Sequence, residues 1–172
     1  SARQLRQAYP PDMGARLLRD HDLPPQRLAL EITETTPLSA VDTVRNVLDA
    51  LSGTGVKFAL DDFGMGFSSL SYLSQFPLDV IKIDRSFTER ADSSHQAASI
   101  VRAVVGLGRS LEIPVLAEGV ETDAHLAFLK SEQCDEAQGF LFARPAELEQ
   151  IRHLVYDDAA PPDAEVAGAS IA

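Results

Sequence analysis

The sequence predicts an α/β protein built on a parallel sheet, and three observations support this. Short apolar runs of the kind buried in parallel sheets recur along the chain. Amphipathic helical patterns separate these runs. The 172 residues, 45% hydrophobic and 24% charged, have the composition of one globular domain with a substantial core. A repeated strand-helix unit is compatible with an open sheet or with a sheet closed into a barrel.

The predicted elements follow one another in a regular series. The strands are residues 28–33, 56–60, 79–83, 113–117 and a less regular segment at 134–142. The clearest helix has Thr36 as N-cap and Pro37 at its first position, and it ends near Gly53. Other helices are predicted near residues 2–19, 68–75, 94–111, 122–130 and 146–154. Residues 156–172, rich in Ala, Pro and Asp, are predicted to be a disordered tail or linker after a domain at 1–155.

Composition excludes several classes of function. A formal net charge of -11, from 15 basic and 26 acidic residues, argues against a nucleic-acid or anionic-membrane surface. Cys134 is the single cysteine and the four histidines are scattered, so neither a disulfide framework nor a Cys/His zinc site is expected. The chain has no signal-peptide pattern and no apolar run near the roughly 20 residues of a membrane helix. A reducing cytoplasm fits these features, and the lack of an initial Met leads us to expect a piece of a longer protein.

Charged residues concentrate at the ends of the predicted strands. They are Glu31, Glu34, Asp61, Asp62, Lys82, Asp84, Glu118 and Glu121. In parallel α/β folds these ends share one face, where active sites lie. Carboxylates brought together there need protons or cations between them, and adjacent aspartates suit a two-metal site that acts on a phosphodiester. Lys82, in an apolar strand, is suited to hold the attacking water or a phosphate oxygen. In the alternative interpretation each acid is only a favourable charge at a helix N-terminus.

Other motifs carry less information. The segment 64–66, Gly-Met-Gly, lacks the third glycine and the Lys-Ser/Thr of phosphate loops, so a tight loop is expected. Gln138-Gly139 after a strand is more typical of a turn than of a ligand. Glu112 and the charges of 132–136 are expected to be solvated surface. No Gly-x-Ser-x-Gly elbow or Cys/His pairing supports covalent catalysis.

Five segments together resemble a known family. They are LEITE at 30–34, DDFGMGFSSLSYL at 61–73, IKIDRSF at 81–87, AEGVET at 117–122 and QGFLFARP at 138–145. In this order they resemble the motif series of the EAL-domain cyclic di-GMP phosphodiesterases, over about residues 1–154. The resemblance implies a TIM-like (β/α) barrel, incomplete here because the first strands are missing. It also implies hydrolysis of cyclic di-GMP to pGpG with two Mg²⁺ or Mn²⁺ ions.

The resemblance also implies roles for individual residues. Glu31 looks like a ligand of the first metal, Asp61 like the bridging ligand, and Asp62 and Glu118 like ligands of the second. Lys82 resembles the lysine that orients the attacking water, Gln138 the glutamine near the second metal, Glu121 the glutamate after the metal ligand, and Glu34 the residue that holds the loop after the aspartates. That loop, residues 63–73, couples dimerisation to activity in the family, so a homodimer through it is expected. GGDEF or sensory domains are common upstream.

The sequence departs from the family pattern in two ways. Met65 and Phe67 stand where Thr and Tyr are common, which bears on control of the loop. The Glu-Ala-Leu motif and an upstream asparagine, which supply first-metal ligands, are not in the sequence. We therefore expect residues 1–172 alone to be inactive and to associate through an exposed sheet edge, and about 80 upstream residues to restore activity. The alternatives are a catalytically silent EAL receptor or interaction module and an unrelated metal-dependent barrel enzyme.

Overall fold

The computed structural model describes residues 16, 18–33, 41–65, 73, 75–147, 149–151 and 169–170. Six strands form one sheet in chain order: β1 Ala29–Thr33, β2 Lys57–Phe63, β3 Val80–Ile83, β4 Val115–Ala117, β5 Glu136–Ala137 and β6 Ala169–Ser170. Strands β1 to β5 are parallel, whereas β6 is antiparallel to β5. This strictly sequential order is that of a barrel wall and not of a doubly wound sheet, in which the order reverses. The predicted α/β class with a parallel sheet is confirmed.

Helices alternate with the strands, and three of them lie in segments predicted to be helical. They are a 3-10 turn at Pro25–Arg27, α1 Val41–Ser52, α2 Arg85–Thr88, α3 His95–Leu111 and α4 Asp123–Ser131. The side chain of Ser94 caps α3 by accepting the N–H of Ala97 at 3.3 Å. Thr122 caps α4 in the same way, through the N–H of His125 at 3.2 Å. These caps confirm the predicted starts of both helices, because a capping hydroxyl satisfies a backbone donor that has no partner inside the helix.

Several boundaries differ from the prediction. β2 continues to Phe63, past the predicted end at residue 60. β5 has two residues, not the nine predicted at 134–142, because the chain turns after Gln138, with Phe142 N–H donating to the carbonyl of Gly139 at 3.1 Å. Helix α2 was not predicted, being a single turn capped by Asp84. Strand β6 lies inside the segment predicted to be a disordered tail. The predicted start of α1 at Thr36 and Pro37 lies outside the described residues.

A large part of the core lies between the sheet and helix α3. Ile81, Ile83, Val115 and Ala117 have no exposed surface, and the apolar face of α3 packs on this side of the sheet. A Cβ on Gly108 would lie 2.3 Å from Cγ2 of Val115 and 2.7 Å from the carbonyl oxygen of Ile113. Only glycine permits so close an approach of helix and strand. This packing fixes β4 and therefore also the position of Glu118, the residue directly after it.

Two aspartates accept backbone hydrogen bonds at the amino-terminal edge of the sheet. Asp79, just before β3, accepts the backbone N–H of Phe58 in β2 at 2.7 Å. Asp135, just before β5, accepts the N–H of Val115 in β4 at 2.9 Å. Asp135 is exposed, as expected for the charges of 132–136, and it also serves as a backbone acceptor. Glu132 is half-buried, and its carboxylate accepts a 2.8 Å surface hydrogen bond from Arg102.

Candidate active site

A β-bulge lies at the two adjacent aspartates. Leu60 is opposite Ile81 and Phe63 is opposite Ile83, so β2 has one more residue than β3 between these pairs. Asp62 has a φ of 56°, which is uncommon for a residue with a side chain. On a regular strand neighbouring side chains point to opposite faces, whereas a bulge redirects one of them. The bulge therefore allows both Asp61 and Asp62 to act at the carboxyl-terminal edge of the sheet.

Three carboxylates from separate parts of the chain meet at one lysine. Lys82 lies in the middle of β3, and only 8% of its surface is exposed. Its Nζ is 2.7 Å from Oε1 of Glu31 in β1 and 3.1 Å from Oδ1 of Asp61 in β2. It is also 2.6 Å from Oε1 of Glu118, the residue after β4. The structure thus brings these four predicted site residues together, as expected for strand ends that share one face.

The charges of this cluster shift its acid-base behaviour. Burial lowers the pKa of Lys82, but its contacts with Glu118, Glu31 and Asp61 outweigh burial and raise the pKa above its ordinary value. Burial, followed by repulsion from Asp61 and Asp84, raises the pKa of Asp62. Lys82 is therefore a fixed positive charge at neutral pH. The single lysine does not neutralise the acids around it, and the cluster is left with a net negative charge that favours a further cation.

The carboxylate oxygens of the cluster are chemically suited to a divalent metal ion. Oδ1 of Asp61 is buried and accepts no hydrogen bond from the described residues, although the ammonium of Lys82 is 3.1 Å away. A buried carboxylate oxygen without a hydrogen-bond donor is costly, and one ammonium shared among three carboxylates offsets that cost only in part. Carboxylate oxygens are also the ligands that Mg²⁺ and Mn²⁺ prefer. Within the described residues no three acidic, His or Cys side chains are already arranged around an ion. Glu31, Asp61 and Glu118 contact Lys82 instead.

Glu121 and Gln138 lie outside the lysine cluster. Both are exposed at the same edge of the sheet, and within the described part of the chain the carboxylates paired with Lys82 are those of Glu31, Asp61 and Glu118. The backbone of Gln138 donates to the carbonyl of Ala117 and accepts the N–H of Val120. Glu34 lies outside the described residues.

Asp84 contributes to the site although the predicted set of site residues omitted it. Its Oδ1 accepts the backbone N–H of Ser86 at 3.0 Å and also the hydroxyl of Ser86. Its charge also helps to raise the pKa of Asp62. Its position directly after β3, two residues from Lys82, was the sequence feature that indicated this edge.

At Gly139 the turn after β5 packs against the loop after β4. A Cβ at Gly139 would lie 2.2 to 2.7 Å from backbone atoms of Val120, so any side chain requires the backbone to move. The N–H of Leu141 donates to the carbonyl of Val120 at 2.9 Å on the other side of the turn. The turn predicted at Gln138-Gly139 is therefore present, and it also braces the loop after β4.

Comparison with known proteins identifies the family. Residues 2–145 match the family model described as EAL domain. The chain belongs to the EAL domain family. It is 48% identical over 148 residues to an uncharacterized signaling protein of Caulobacter vibrioides, covering 86% of this chain and 18% of that protein. It is 42% identical over 151 residues to the bifunctional diguanylate cyclase/cyclic di-GMP phosphodiesterase MucR of Pseudomonas aeruginosa, covering 88% and 22%. The chain thus spans about a fifth of the length of these relatives.

Solved structures agree with this family. The MucR phosphodiesterase in complex with c-di-GMP superimposes with a TM-score of 0.81 at 42% identity, covering 88% of this chain and 61% of that one. A manganese/cy-diGMP complex of BlrP1 from Klebsiella pneumoniae superimposes with a TM-score of 0.73 at 40% identity, covering 80% and 36%. A calcium/cy-diGMP complex of BlrP1 gives 0.73 at 39% identity, covering 79% and 34%. No helix in the described residues of this chain is long and apolar enough to cross a membrane.

Proposed function

We propose that this chain forms the catalytic edge of an EAL domain that hydrolyses cyclic di-GMP to pGpG with divalent metal ions. The observation that carries the proposal is the meeting of Glu31, Asp61 and Glu118 at the buried ammonium of Lys82. An acidic chain needs cations to accept a substrate with two phosphates, and this cluster is where its carboxylates converge. The relative MucR, whose phosphodiesterase was solved with c-di-GMP, supports the choice of substrate.

The metal ligands of this chain are proposed to be Glu31, Asp61, Asp62 and Glu118. The resemblance to the family supports this set, as does the buried oxygen of Asp61 that accepts no hydrogen bond from the described residues. Two bound Mg²⁺ or Mn²⁺ ions supply activation of a water and stabilisation of the attacking and leaving oxygens. Solved relatives that contain manganese or calcium with c-di-GMP support a dependence on divalent ions.

Lys82 is proposed to act directly on the reacting groups. Its ammonium, kept protonated by the surrounding carboxylates, is suited to hold the attacking water or a phosphate oxygen by hydrogen bonds. In the reaction the oxygen of water bonds to phosphorus, the bond from phosphorus to the 3′ oxygen breaks, and a proton from the water passes to that oxygen. One ester of the ring opens and pGpG is the product. Glu121 and Gln138 are proposed to contact the metal-bound substrate region from the same edge of the sheet.

The rest of an EAL domain is proposed to be necessary for turnover. The chain covers 61% of the solved MucR phosphodiesterase, so about two fifths of that structure has no counterpart here. The family resemblance assigns two first-metal ligands to this remaining part. We therefore expect residues 1–172 alone to show no turnover and a complete domain that includes them to be active.

The test measures pGpG production by both proteins in Mn²⁺ and in Mg²⁺. Asp61→Asn in the complete domain is the matched variant. Its turnover should fall by more than about 100-fold, because mutation of a residue that only orients a metal ligand already lowers metal affinity or activity by about 10- to 100-fold. In Ca²⁺ we expect binding of cyclic di-GMP without hydrolysis, since Ca²⁺ prefers more ligands at longer distances. Cyclic di-GMP binding without turnover in any ion would favour the receptor alternative. Neither binding nor turnover by the complete domain would refute the proposal.

A dimer through residues 63–73 is proposed on the resemblance alone, since 66–72 and 74 lie outside the described residues. Light scattering of the complete domain, with and without cyclic di-GMP, tests it. A monomer under both conditions would rule it out. An upstream GGDEF domain is likewise proposed, and the bifunctional name of the relative MucR supports it.

A further inference from the structure

The loop between β4 and α4 carries two predicted site residues, Glu118 and Glu121, and its backbone N–H groups hold it in place. The N–H of Glu118 donates to the carbonyl of Ile83 at 3.2 Å. The N–H of Val120 donates to the carbonyl of Gln138 at 3.0 Å. The N–H of Glu121 donates to Nδ1 of His125 at 3.4 Å. Of these three acceptors, the first two belong to the backbone and the third belongs to a side chain.

His125 lies in the first turn of α4 and only 6% of its surface is exposed. Because Nδ1 accepts a hydrogen bond, the neutral ring carries its proton on Nε2. The backbone N–H of His125 also donates to the hydroxyl of Thr122, one residue after Glu121. The residue therefore holds the end of the loop twice, with its side chain at Glu121 and with its backbone at Thr122.

The loop needs such support because its path is not a regular one. Gly119 has a φ of 72°, and a Cβ there would lie 2.5 Å from Cβ of Arg85. The chain thus reverses within a few residues between Glu118, which contacts Lys82, and the start of α4. A loop of this kind has several alternative paths unless its polar groups are bonded. Loss of the bond at Glu121 would release the end of the loop that leads into α4.

We infer that His125 is a positioning residue, which fixes the loop that carries Glu118 by accepting the N–H of Glu121. The inference rests on the proposed function for its effect on catalysis, but not for its effect on the loop. It differs from a purely structural role, in which the ring only fills space at the start of α4. The two roles separate because one requires a hydrogen-bond acceptor and the other requires volume.

Two substitutions at His125 distinguish acceptor from volume. Oδ1 of an asparagine is separated from Cα by the same number of bonds as Nδ1 of histidine, so His125→Asn retains an acceptor at that position. His125→Leu introduces a branched apolar side chain of intermediate size, which occupies much of the same space but has no acceptor. In a role limited to packing, Leu should be tolerated at least as well as Asn, since it fills more of the buried space.

The first readout is hydrogen exchange of the Glu121 amide, measured by NMR in the complete domain without metal. His125→Leu should raise exchange at Glu121 by roughly 2- to 10-fold, the net strength of one hydrogen bond, and His125→Asn should stay close to wild type. The amide of Ala97, capped by Ser94 in α3, is the internal control and should not change in either variant. Equal exchange at Glu121 in wild type and His125→Leu would overturn the inference, and so would an equal increase in both variants.

The second readout is steady-state hydrolysis of cyclic di-GMP in Mn²⁺ by the same proteins. Because misplacement of Glu118 affects the chemical step, His125→Leu should lower kcat by roughly 10-fold with little change in KM, and His125→Asn should restore most of it. Equal kcat in His125→Leu and wild type would also overturn the role in catalysis. If the wild-type domain does not hydrolyse cyclic di-GMP, the proposed function fails, while the exchange experiment still decides whether His125 fixes the loop.

Discussion

The two edges of the parallel sheet use the same residue types for opposite purposes. At the amino-terminal edge, Asp79 and Asp135 each accept a backbone N–H of the neighbouring strand, at 2.7 and 2.9 Å. At the carboxyl-terminal edge, Glu31, Asp61 and Glu118 share the ammonium of Lys82. A carboxylate bonded to a backbone amide is satisfied by the fold itself. Three carboxylates around one lysine retain negative charge, so they have capacity for another cation.

This difference separates stability from function within one sheet. The amino-terminal aspartates accept hydrogen bonds from backbone N–H groups that would otherwise have no acceptor, so their removal should lower the free energy of unfolding. The carboxyl-terminal cluster carries costs for the fold, since burial and neighbouring charges raise the pKa of Asp62 and Asp62 itself adopts an uncommon φ. Strain and repulsion of this kind are typical of sites under functional demand.

The largest expected effect is at the centre of the carboxyl-terminal cluster. Lys82→Met in the complete domain keeps the length and apolar stem of the side chain and removes the charge. We expect turnover of cyclic di-GMP to fall by about 100-fold or more, the range typical of groups that assist proton movement or charge in a reaction. KM should change much less than kcat if Lys82 holds the attacking water. A rise in KM at constant kcat would instead make it a ground-state phosphate contact.

The amino-terminal edge should respond in stability and not in turnover. Asp135→Ala removes the acceptor of the buried Val115 N–H and should lower the free energy of unfolding by about 1 to 3 kcal/mol, the cost of one unsatisfied buried donor. Asp135→Asn keeps an acceptor oxygen and should lose less. Urea unfolding measures both, and turnover per folded molecule should match wild type. A large loss of turnover in folded Asp135→Ala would show that the two edges are not functionally separate.

A smaller effect concerns Asp62 and pH. Because the folded state raises the pKa of Asp62, ionised Asp62 destabilises the metal-free fold above that folded pKa. This penalty shrinks as pH falls through the folded pKa and is absent below the ordinary value of 3.8. Asp62→Asn should therefore raise metal-free stability at pH 7, by less than about 1 kcal/mol given the exposure of the group, and the gain should narrow toward acid.

Thermal unfolding at pH 7 and at pH 3.8, the ordinary pKa of the group, measures this gain. Added Mn²⁺ supplies the control, since it should stabilise wild type more than Asp62→Asn. A gain that stays constant or grows between pH 7 and pH 3.8 would show that burial and repulsion of the ionised carboxylate are not its cause.

The smallest expected effect is at Cys134, beside the amino-terminal edge. Its thiol is buried and lies 3.3 Å from the carbonyl oxygen of Val115. Burial raises its pKa to about 11. At pH 8 only about a thousandth of the thiol is then ionised, so labelling by a disulfide reagent should be slow in the folded state and fast in urea. Rapid labelling of the folded protein would mean that this edge opens readily.

Local patterns in the sequence were sufficient for much of this fold. Ser94 and Thr122 marked the starts of α3 and α4, because a cap is chosen by residues within three positions of it. Short apolar runs marked strands β1 to β4 to within a few residues. The order of these runs along the chain placed the predicted acids at strand ends, and therefore at one face. Family resemblance added roles for the residues, which remain proposals.

Only the tertiary structure decided which polar groups meet. Lys82 is 51 positions from Glu31 and Asp135 is 20 positions from Val115, so no local pattern relates them. The bulge at Asp61 and Asp62 depends on how β2 is aligned with β3, which neither strand determines alone. Asp79, Asp135 and His125 were not identified from the sequence because a carboxylate or imidazole looks the same there whether it meets solvent, a backbone amide or a metal. Hydrogen-bond partners are set by the packing of whole strands, and that packing exists only once the chain has folded.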